Sequence, residues 1–400
     1  MKLGDLIQEA LESNHIVLMA ESKLTTTGFR IPQVTTLPDP IIMLGYQNAG
    51  WNRFTLGQMD GTQVMFSVSQ QFPYPGKLSL REESLSREYD SLSETLKSAR
   101  LKTVQTVKEL FYDLFFAYKD IGLIGEKTSL FSRIEDAALS RYSSGMGSQA
   151  DVLMAQTEKY MLLEKVEMEK QQINRLEGML NSTLGREATS QLSRPSSSVK
   201  ETPFATPMED LLKMAYAASP EVRAKELMIE AAKVKVKLAK KDYYPDFNIT
   251  AAVAKRAGPF EDMWSLTAAV NVPIYYKNKQ RMAVLEADSM VGEADHDLES
   301  VKFEIASGLR DSFSMVKTSE KLMSLYKTAL IAKTYQDFNL SLSGYVTGKA
   351  DALTVITRLK ALLDYETLYW KQFAEREKAI ARIEALTGIE YGISKAGEDK

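Results

Sequence analysis

Cysteine is absent from the 400 residues, and histidine occurs only twice. A thiol nucleophile, a Cys-ligated zinc and a disulfide framework are therefore excluded. Proline is scarce and unevenly placed: none lies between Gly76 and Tyr142, and none follows Pro273. No apolar run approaches the roughly 18 residues that a transmembrane helix needs. The balance of charge is nearly even, with 50 Lys and Arg against 53 Asp and Glu, so bulk charge gives no support for nucleic acid as a partner. With 44% hydrophobic and 26% charged residues the chain reads as folded throughout. Its opening, Met1 to Leu6, runs directly into a helical pattern with no apolar segment before it, and any export signal is expected to have been removed. One route into a membrane stays open, because a β-barrel strand leaves only about ten alternating residues as its signal.

The chain contains the same unit twice, over 1–185 and 208–388. Each copy opens with a helix, Leu3 to Ala10 and Met208 to Ala215, and reaches a Pro-Asp step at Pro38-Asp39 and Pro245-Asp246. Each then carries strand-like stretches that end at a proline, Phe72-Pro73 and Val272-Pro273. A long helical stretch follows, then Tyr-x-x-Gly as Tyr142 to Gly145 and Tyr345 to Gly348, then a second long helix ending near Gly185 and Gly388. The expected elements are strands over 39–47 and 62–72 with a hairpin over 76–183, and strands over 246–255 and 263–272 with a hairpin over 278–387. A Pro- and Ser-rich linker over 186–207 joins the copies, and a polar tail over 389–400 ends the chain.

A helix of roughly 65 residues spans about 100 Å, more than an ordinary globular core is thick. Val104, Val107, Phe111, Leu114, Tyr118 and Ile121 step by three and four, which is a coiled-coil seam. Leu298, Val301, Ile305, Leu309, Phe313 and Val316 repeat it more loosely, and the returning helices carry Ile173, Leu176 and Leu180, then Ile356, Leu359 and Leu363. Helices alone leave an ordinary soluble helical bundle as the lesser alternative.

The strands separate the two readings. Trp264, Leu266, Ala268 and Val270 alternate with Ser265, Thr267, Ala269 and Asn271. Phe247, Ile249, Ala251 and Val253 alternate with Asn248, Thr250, Ala252 and Ala254, and Val64, Phe66 and Val68 with Met65, Ser67 and Ser69. Small polar residues on one face and large apolar ones on the other suit a strand between lipid and water. Four strands per chain cannot close a barrel, and an open edge in lipid leaves backbone groups unpaired. Strands that span a membrane here must share one barrel with other chains, and a shared barrel continued by helices is a passage.

These features together resemble the TolC-like outer-membrane efflux family over nearly the whole chain. The resemblance is carried by the duplicated element order, by Pro273 before a long helix, by Gly145 to Leu153, and by Tyr345 to Gly348 running on to Ile356. It implies a mixed α and β membrane protein. As a homotrimer, its four strands per protomer would build a twelve-stranded β-barrel in contact with outer-membrane lipid, continued by a helical coiled-coil barrel in the periplasm. It implies a passive duct with no catalysis and no cofactor, joined to a periplasmic adaptor and a proton-driven inner-membrane pump. Tyr142, Gly145, Tyr345 and Gly348 would lie at the hairpin tips where the adaptor docks. Family members often narrow the pore there with acidic residues. Asp151 takes that position in the first repeat, whereas the second holds Thr354 and Thr357, with Asp351 one helical turn before Thr354. Asp151 reads equally well as a helix-start residue. Leu37 to Pro40, Gly45 to Asn48 and Pro75 to Leu78 resemble the branch serving heavy-metal pumps, which favours metal cations over drugs as cargo, although the 18 methionines are largely accounted for as core filler.

Two rival functions rest on other patterns. Both histidines stand in Glu-x-x-His, Glu12 to His15 and Glu293 to His296, the i, i+3 spacing that di-iron carboxylate bundles use. A soluble coiled-coil scaffold would explain the seams but not the strands. Gly145-Met146-Gly147-Ser148-Gln149-Ala150 matches a dinucleotide fingerprint, yet it follows a helical pattern rather than the buried strand that the motif requires.

Overall fold

The computed structural model describes residues 1–196 and 199–389. The centre of the predicted linker and all but the first residue of the polar tail lie outside that range. In chain order the elements are α1 (Leu3–Ser13), α2 (His15–Thr35), β1 (Ile41–Gln47), β2 (Gln63–Phe72), α3 (Lys77–Ser143), α4 (Gln149–Thr183), α5 (Met208–Ala218) and α6 (Pro220–Lys241). Then come β3 (Asp246–Lys255), β4 (Met263–Asn271), α7 (Gln280–Leu325), a π-helical turn (Tyr326–Leu330), α8 (Ile331–Val346) and α9 (Ala352–Thr387). None of these helices is long and apolar enough to cross a membrane.

Where the sequence predicts one opening helix per repeat, the structure has two. Asn14 breaks the first by adopting an extended backbone, its Oδ1 accepting from the Ile16 N–H at 2.8 Å and its Nδ2 donating to the Thr183 carbonyl at 2.7 Å. Ser219, also extended and followed by Pro220, breaks the second. The second long helix is interrupted by the π turn, whereas α3 runs on over 67 residues. Leu325 and Thr328 occupy the places that Gly122 and Gly125 hold in the first repeat.

The chain divides into two units. The first, the described residues within 1–20, 96–220 and 302–400, holds the seams. Val104, Val107, Phe111 and Leu114 of α3 pack with Ile173, Leu176 and Leu180 of α4 and Phe373 of α9. A second cluster joins Ile124, Phe131 and Ile134 to Val152, Phe338, Val355, Ile356, Leu359 and Leu363. Each fully buried leucine contributes about 1.5–3 kcal/mol, so these stripes dominate the stability of the unit.

The second unit, residues 21–95 and 221–301, holds the sheet, in the order β1-β2-β3-β4 with every pairing antiparallel. The register aligns Leu44, Phe66, Val253 and Trp264 in one row, and Ile42, Val68, Ala251 and Leu266 in the next. The opposite face carries the row Ser69, Thr250 and Thr267, where the Ser69 hydroxyl meets that of Thr250 at 2.9 Å and donates to Asn248 Oδ1 at 3.0 Å. β1 is apolar on both faces, with Ile41 and Met43 sharing the polar side, which is why its alternation is the weakest in the sequence. At the helical end, buried Lys77 pairs with Asp246 at 2.9 Å and Asp242 at 3.1 Å, and Tyr74 stacks on Tyr244 at 4.6 Å.

Candidate functional site

Two turns of the same construction close the helical hairpins of the first unit. Gly145 and Gly348 lie just beyond α3 and α8 with φ of +73° and +79°, a left-handed conformation that only glycine adopts without strain. The Gly145 N–H donates to the Tyr142 carbonyl and the Gly348 N–H to the Tyr345 carbonyl, both at 3.0 Å. Met146 N–H then reaches the Arg141 carbonyl at 2.9 Å, and Lys349 N–H the Gly344 carbonyl at 2.7 Å. The Tyr-x-x-Gly spacing is thus a helix stop written twice.

The return helices are capped by different chemistry. Ser148 Oγ accepts from the Asp151 N–H at 3.2 Å, and Asp351 Oδ1 accepts from the Thr354 N–H at 2.7 Å. The capping role considered for Asp151 therefore belongs to Ser148, and Asp151 sits in the first turn, where a carboxylate suits the positive end of the helix dipole. Hydrogen bonds from the side chain and backbone of Thr354 hold the Asp351 carboxyl below the usual carboxylate range.

The two tyrosines have opposite fates. Tyr142 is exposed, but Tyr345 is only 1% exposed and packs with Phe338 and Val355 in the second core cluster. Its ring adds almost no exposed surface to the tip. What covers it is Arg141, a residue the sequence reading did not select. The Arg141 guanidinium donates to the Tyr345 carbonyl and, at 3.0 Å, to the Met146 carbonyl, and its carbon lies 4.8 Å from the centre of the Tyr345 ring. The Tyr345 hydroxyl points to Asp151 Oδ2 across a long 3.5 Å contact. Burial raises the Tyr345 phenol and the Asp151 charge adds to it, against the opposing pull of Arg141. One signal for Arg141 lay in the repeat: at the matching place the second copy has Gly344. Gly147 makes room for the larger residue, since a Cβ there would stand 2.9 Å from Arg141 Cβ.

Arg141, Met146, Asp151, Tyr345, Lys349 and Asp351 thus surround one open cleft of about 550 Å³. Gly145 and Gly348 line it too. Thr354 and Thr357 do not; Thr357 turns its hydroxyl back to the Leu353 carbonyl at 2.7 Å. The cleft offers carbonyl oxygens, two carboxylates and two cationic groups, with no nucleophile paired to a base.

A second polar constellation of this unit was also missed. Lys108 and Glu384 form an ion pair in which both side chains are at least nine-tenths buried. Nearby, buried Arg376 joins Glu377 at 2.6 Å and Glu320 at 3.1 Å, and Tyr112 donates to Glu377 at 3.3 Å. Burial, then the Glu377 charge, raises the Tyr112 phenol far beyond its ordinary range. These groups satisfy one another, as buried charges must.

The two Glu-x-x-His motifs differ in local structure. Asn14 separates Glu12 from His15, so the pair shares no helix face, and Glu293 and His296 lie in the other unit. Among the described residues no group of three His, Asp or Glu side chains is placed to hold a metal. Gly145 follows a helix, not a strand, so the dinucleotide motif lacks its context.

Residues 211–388 match the family described as outer membrane efflux protein. The nickel-cobalt-cadmium resistance protein NccC of Alcaligenes xylosoxydans xylosoxydans is 20% identical over 323 residues, 79% of this chain and 70% of that protein. Among solved structures, the outer membrane protein VceC of Vibrio cholerae superposes with a TM-score of 0.81 at 15% identity, covering 96% of both chains. The CmeC outer membrane channel of Campylobacter jejuni gives 0.78 at 13% identity, covering 96% of this chain and 85% of that one. At these identities the structural likeness establishes the fold, and it does so across both repeats.

Proposed function

We propose that the chain is the outer-membrane channel of a tripartite efflux system, a reading supported by the match of residues 211–388 to the outer membrane efflux protein family and by the likeness of fold over both repeats. The observation that carries this reading is the sheet. Over β2, β3 and β4 the sheet has one apolar and one polar face, and among the described residues β1 and β4 each keep an unpaired edge. Such edges are intolerable in lipid unless another chain pairs with them. Three copies supply twelve strands for one closed barrel in the outer membrane, and their helical hairpins line the periplasmic passage. The duct performs no chemistry; an inner-membrane pump supplies the energy, and a periplasmic adaptor meets the hairpin tips around Gly145 and Gly348.

Metal cations are the favoured cargo, supported by the likeness to a protein named for nickel, cobalt and cadmium resistance. Asp151 and Asp351 are proposed to give the periplasmic mouth its cation preference, because both line the tip cleft and Asp351 stays ionised through the physiological range. Thr354 and Thr357 complete the proposed constriction as neutral positions.

The test is mass by light scattering of the protein extracted from the outer membrane in mild detergent, followed by bilayer recording. A trimer that conducts is the expected result. A monomer that needs no detergent would overturn the reading. Docking is tested separately: Gly145→Val or Gly348→Val should abolish efflux in cells while trimers persist, and loss of trimers would assign these glycines to folding instead.

A further inference from the structure

The connection between β1 and β2, residues 48–62, carries a polar core of its own. Asn48 is its pivot: the side-chain amide donates to the Gly50 and Arg53 carbonyls at 2.8 and 2.9 Å. Its Oδ1 accepts from the Tyr46 hydroxyl at 2.7 Å and from the Thr55 N–H at 3.0 Å. Thr55 and Thr62, at 1% and 0% exposure, share a hydrogen bond. Thr55 also donates to the Ala49 carbonyl at 3.0 Å, and Thr62 accepts from the Ala49 N–H at 2.9 Å. The β3–β4 turn braces the far side, where the Gly57 N–H donates to the Arg256 carbonyl at 3.2 Å and the Arg256 guanidinium pairs with Asp60.

Around this polar core the largest side chains turn outwards. Trp51 is fully exposed and Phe54 is 82% exposed. The Phe54 ring lies 5.6 Å from that of Tyr46, and Tyr46 belongs to the apolar face of the sheet, in the row Tyr46, Val64 and Lys255. The next row on that face is Leu44, Phe66, Val253 and Trp264. Phe54 therefore folds back over the apolar side of the sheet, at the end remote from the strand–helix junctions. Arg53 and Lys255 stand at the same end, and neither side chain has a hydrogen bond or ion pair among the described residues.

Tryptophan settles where acyl chains meet headgroups, and long cationic side chains reach outwards from there to the phosphates. We propose that Trp51 and Phe54, with Arg53 and Lys255, seat the β1–β2 loop in the lipid leaflet around the loop end of the sheet, as a clasp on its headgroup phosphates. This rests on the duct reading, which sets the apolar face against lipid. Two outward aromatic rings continuing an apolar face are a liability in water, whereas at a lipid boundary they bury area. The backbone is already braced, so insertion costs little ordering entropy. The rings supply attachment, and each cation adds a preference of about fivefold for anionic headgroups.

The experiment reconstitutes the full chain in phosphatidylcholine vesicles and quenches tryptophan emission with phosphatidylcholine brominated near the headgroup, or with aqueous iodide. Trp51→Phe and Trp264→Phe assign the signals of the two tryptophans. Trp51 is expected to be quenched by the brominated lipid and protected from iodide. Brominated phosphatidylglycerol, diluted into the same vesicles, should quench it at a lower mole fraction than brominated phosphatidylcholine. Arg53→Gln and Lys255→Gln should each reduce that preference about fivefold. A preference unchanged in both variants overturns the clasp. Quenching of Trp51 by iodide alone overturns it too, because the loop would stand in water. Protection from both quenchers also overturns it, because the loop would then pack on a neighbouring copy. Trp264 separates the clasp from the duct. If brominated lipid quenches Trp264 and not Trp51, the clasp alone falls; if it quenches neither, the duct reading falls with it.

Discussion

Arg141 holds Tyr345 from two sides: its guanidinium donates to the Tyr345 main-chain carbonyl and lies 4.8 Å from the centre of that residue's ring. One residue at the end of α3 thereby ties down the end of α8, so the tips of the two hairpins are a single polar structure rather than two independent turns. Arg141→Ala should cost about 1.5–3 kcal/mol of local stability, the usual worth of hydrogen bonds to a charged group. Amide exchange at residues 345–351 should accelerate while that of the buried seams stays unchanged. Unaltered exchange at the tip would show that the clamp is dispensable.

Gly145 and Gly147 lie in one turn but should respond differently to alanine. At Gly145 the cost is backbone conformation alone, about 1–2 kcal/mol for a left-handed residue with a Cβ, since a Cβ there meets nothing within 4 Å. At Gly147 the new Cβ would press on Arg141 Cβ at 2.9 Å and on the Arg141 backbone at 3.2 Å. Gly147→Ala is therefore expected to displace Arg141 and reproduce the exchange pattern of Arg141→Ala, whereas Gly145→Ala should keep the clamp.

Asp351 gives the tip a dependence on pH whose sign follows from its depressed carboxyl. A carboxyl more acidic in the folded state contributes stability that is complete above its unfolded value of about 3.9 and is lost as pH falls through the lower folded value. Protection of the first turn of α9 should hold down to pH about 4 and decline below it. Asp351→Asn keeps a capping oxygen and should remove the pH dependence with little loss of protection; Asp351→Ala should lose both. In bilayers, Asp351→Asn and Asp151→Asn should each lower cation preference, and unchanged selectivity would remove these carboxylates from the pore.

Lys108 and Glu384 allow the helical core to be tested by a double-mutant cycle. Glu384→Leu alone leaves a buried ammonium without its partner and should destabilise the protein by about 3–5 kcal/mol. Lys108→Met combined with Glu384→Leu removes both charges and should recover most of that loss, as read from the thermal midpoint in detergent. Equal destabilisation by the single and double variants would mean that the pair is held by packing and not by charge.

The duplicated order, the seams and the alternation of three strands were legible because each is periodic, and periodicity reports which face of an element is buried. Val104 to Leu114 and Ile356 to Leu363 lie on the buried faces that their spacing assigns. The tip turns were legible as spacing, since a helix that stops on a left-handed glycine leaves Tyr-x-x-Gly in the chain. Arg141 was not, because its partner lies 204 positions away and nothing local distinguishes it from a solvated arginine at a helix end. The buried ions of α9 stayed hidden for the same reason: the partners of Arg376, Glu377 and Lys378, among them Glu320, Tyr112 and Asp113, are remote in sequence.

The sequence by itself determined what repeats along the chain: a duplicated order of elements, long amphipathic helices, three strands that alternate apolar with small polar residues, and helix stops at fixed places. Those are properties of consecutive residues, set by backbone geometry and by the free energy of burying one face. Only the tertiary structure decided which tyrosine of the matched pair is buried, which arginine covers it, and how the charges of α9 are paired. Each of these depends on helices that meet in space, and side chains remote in sequence leave no trace in local periodicity.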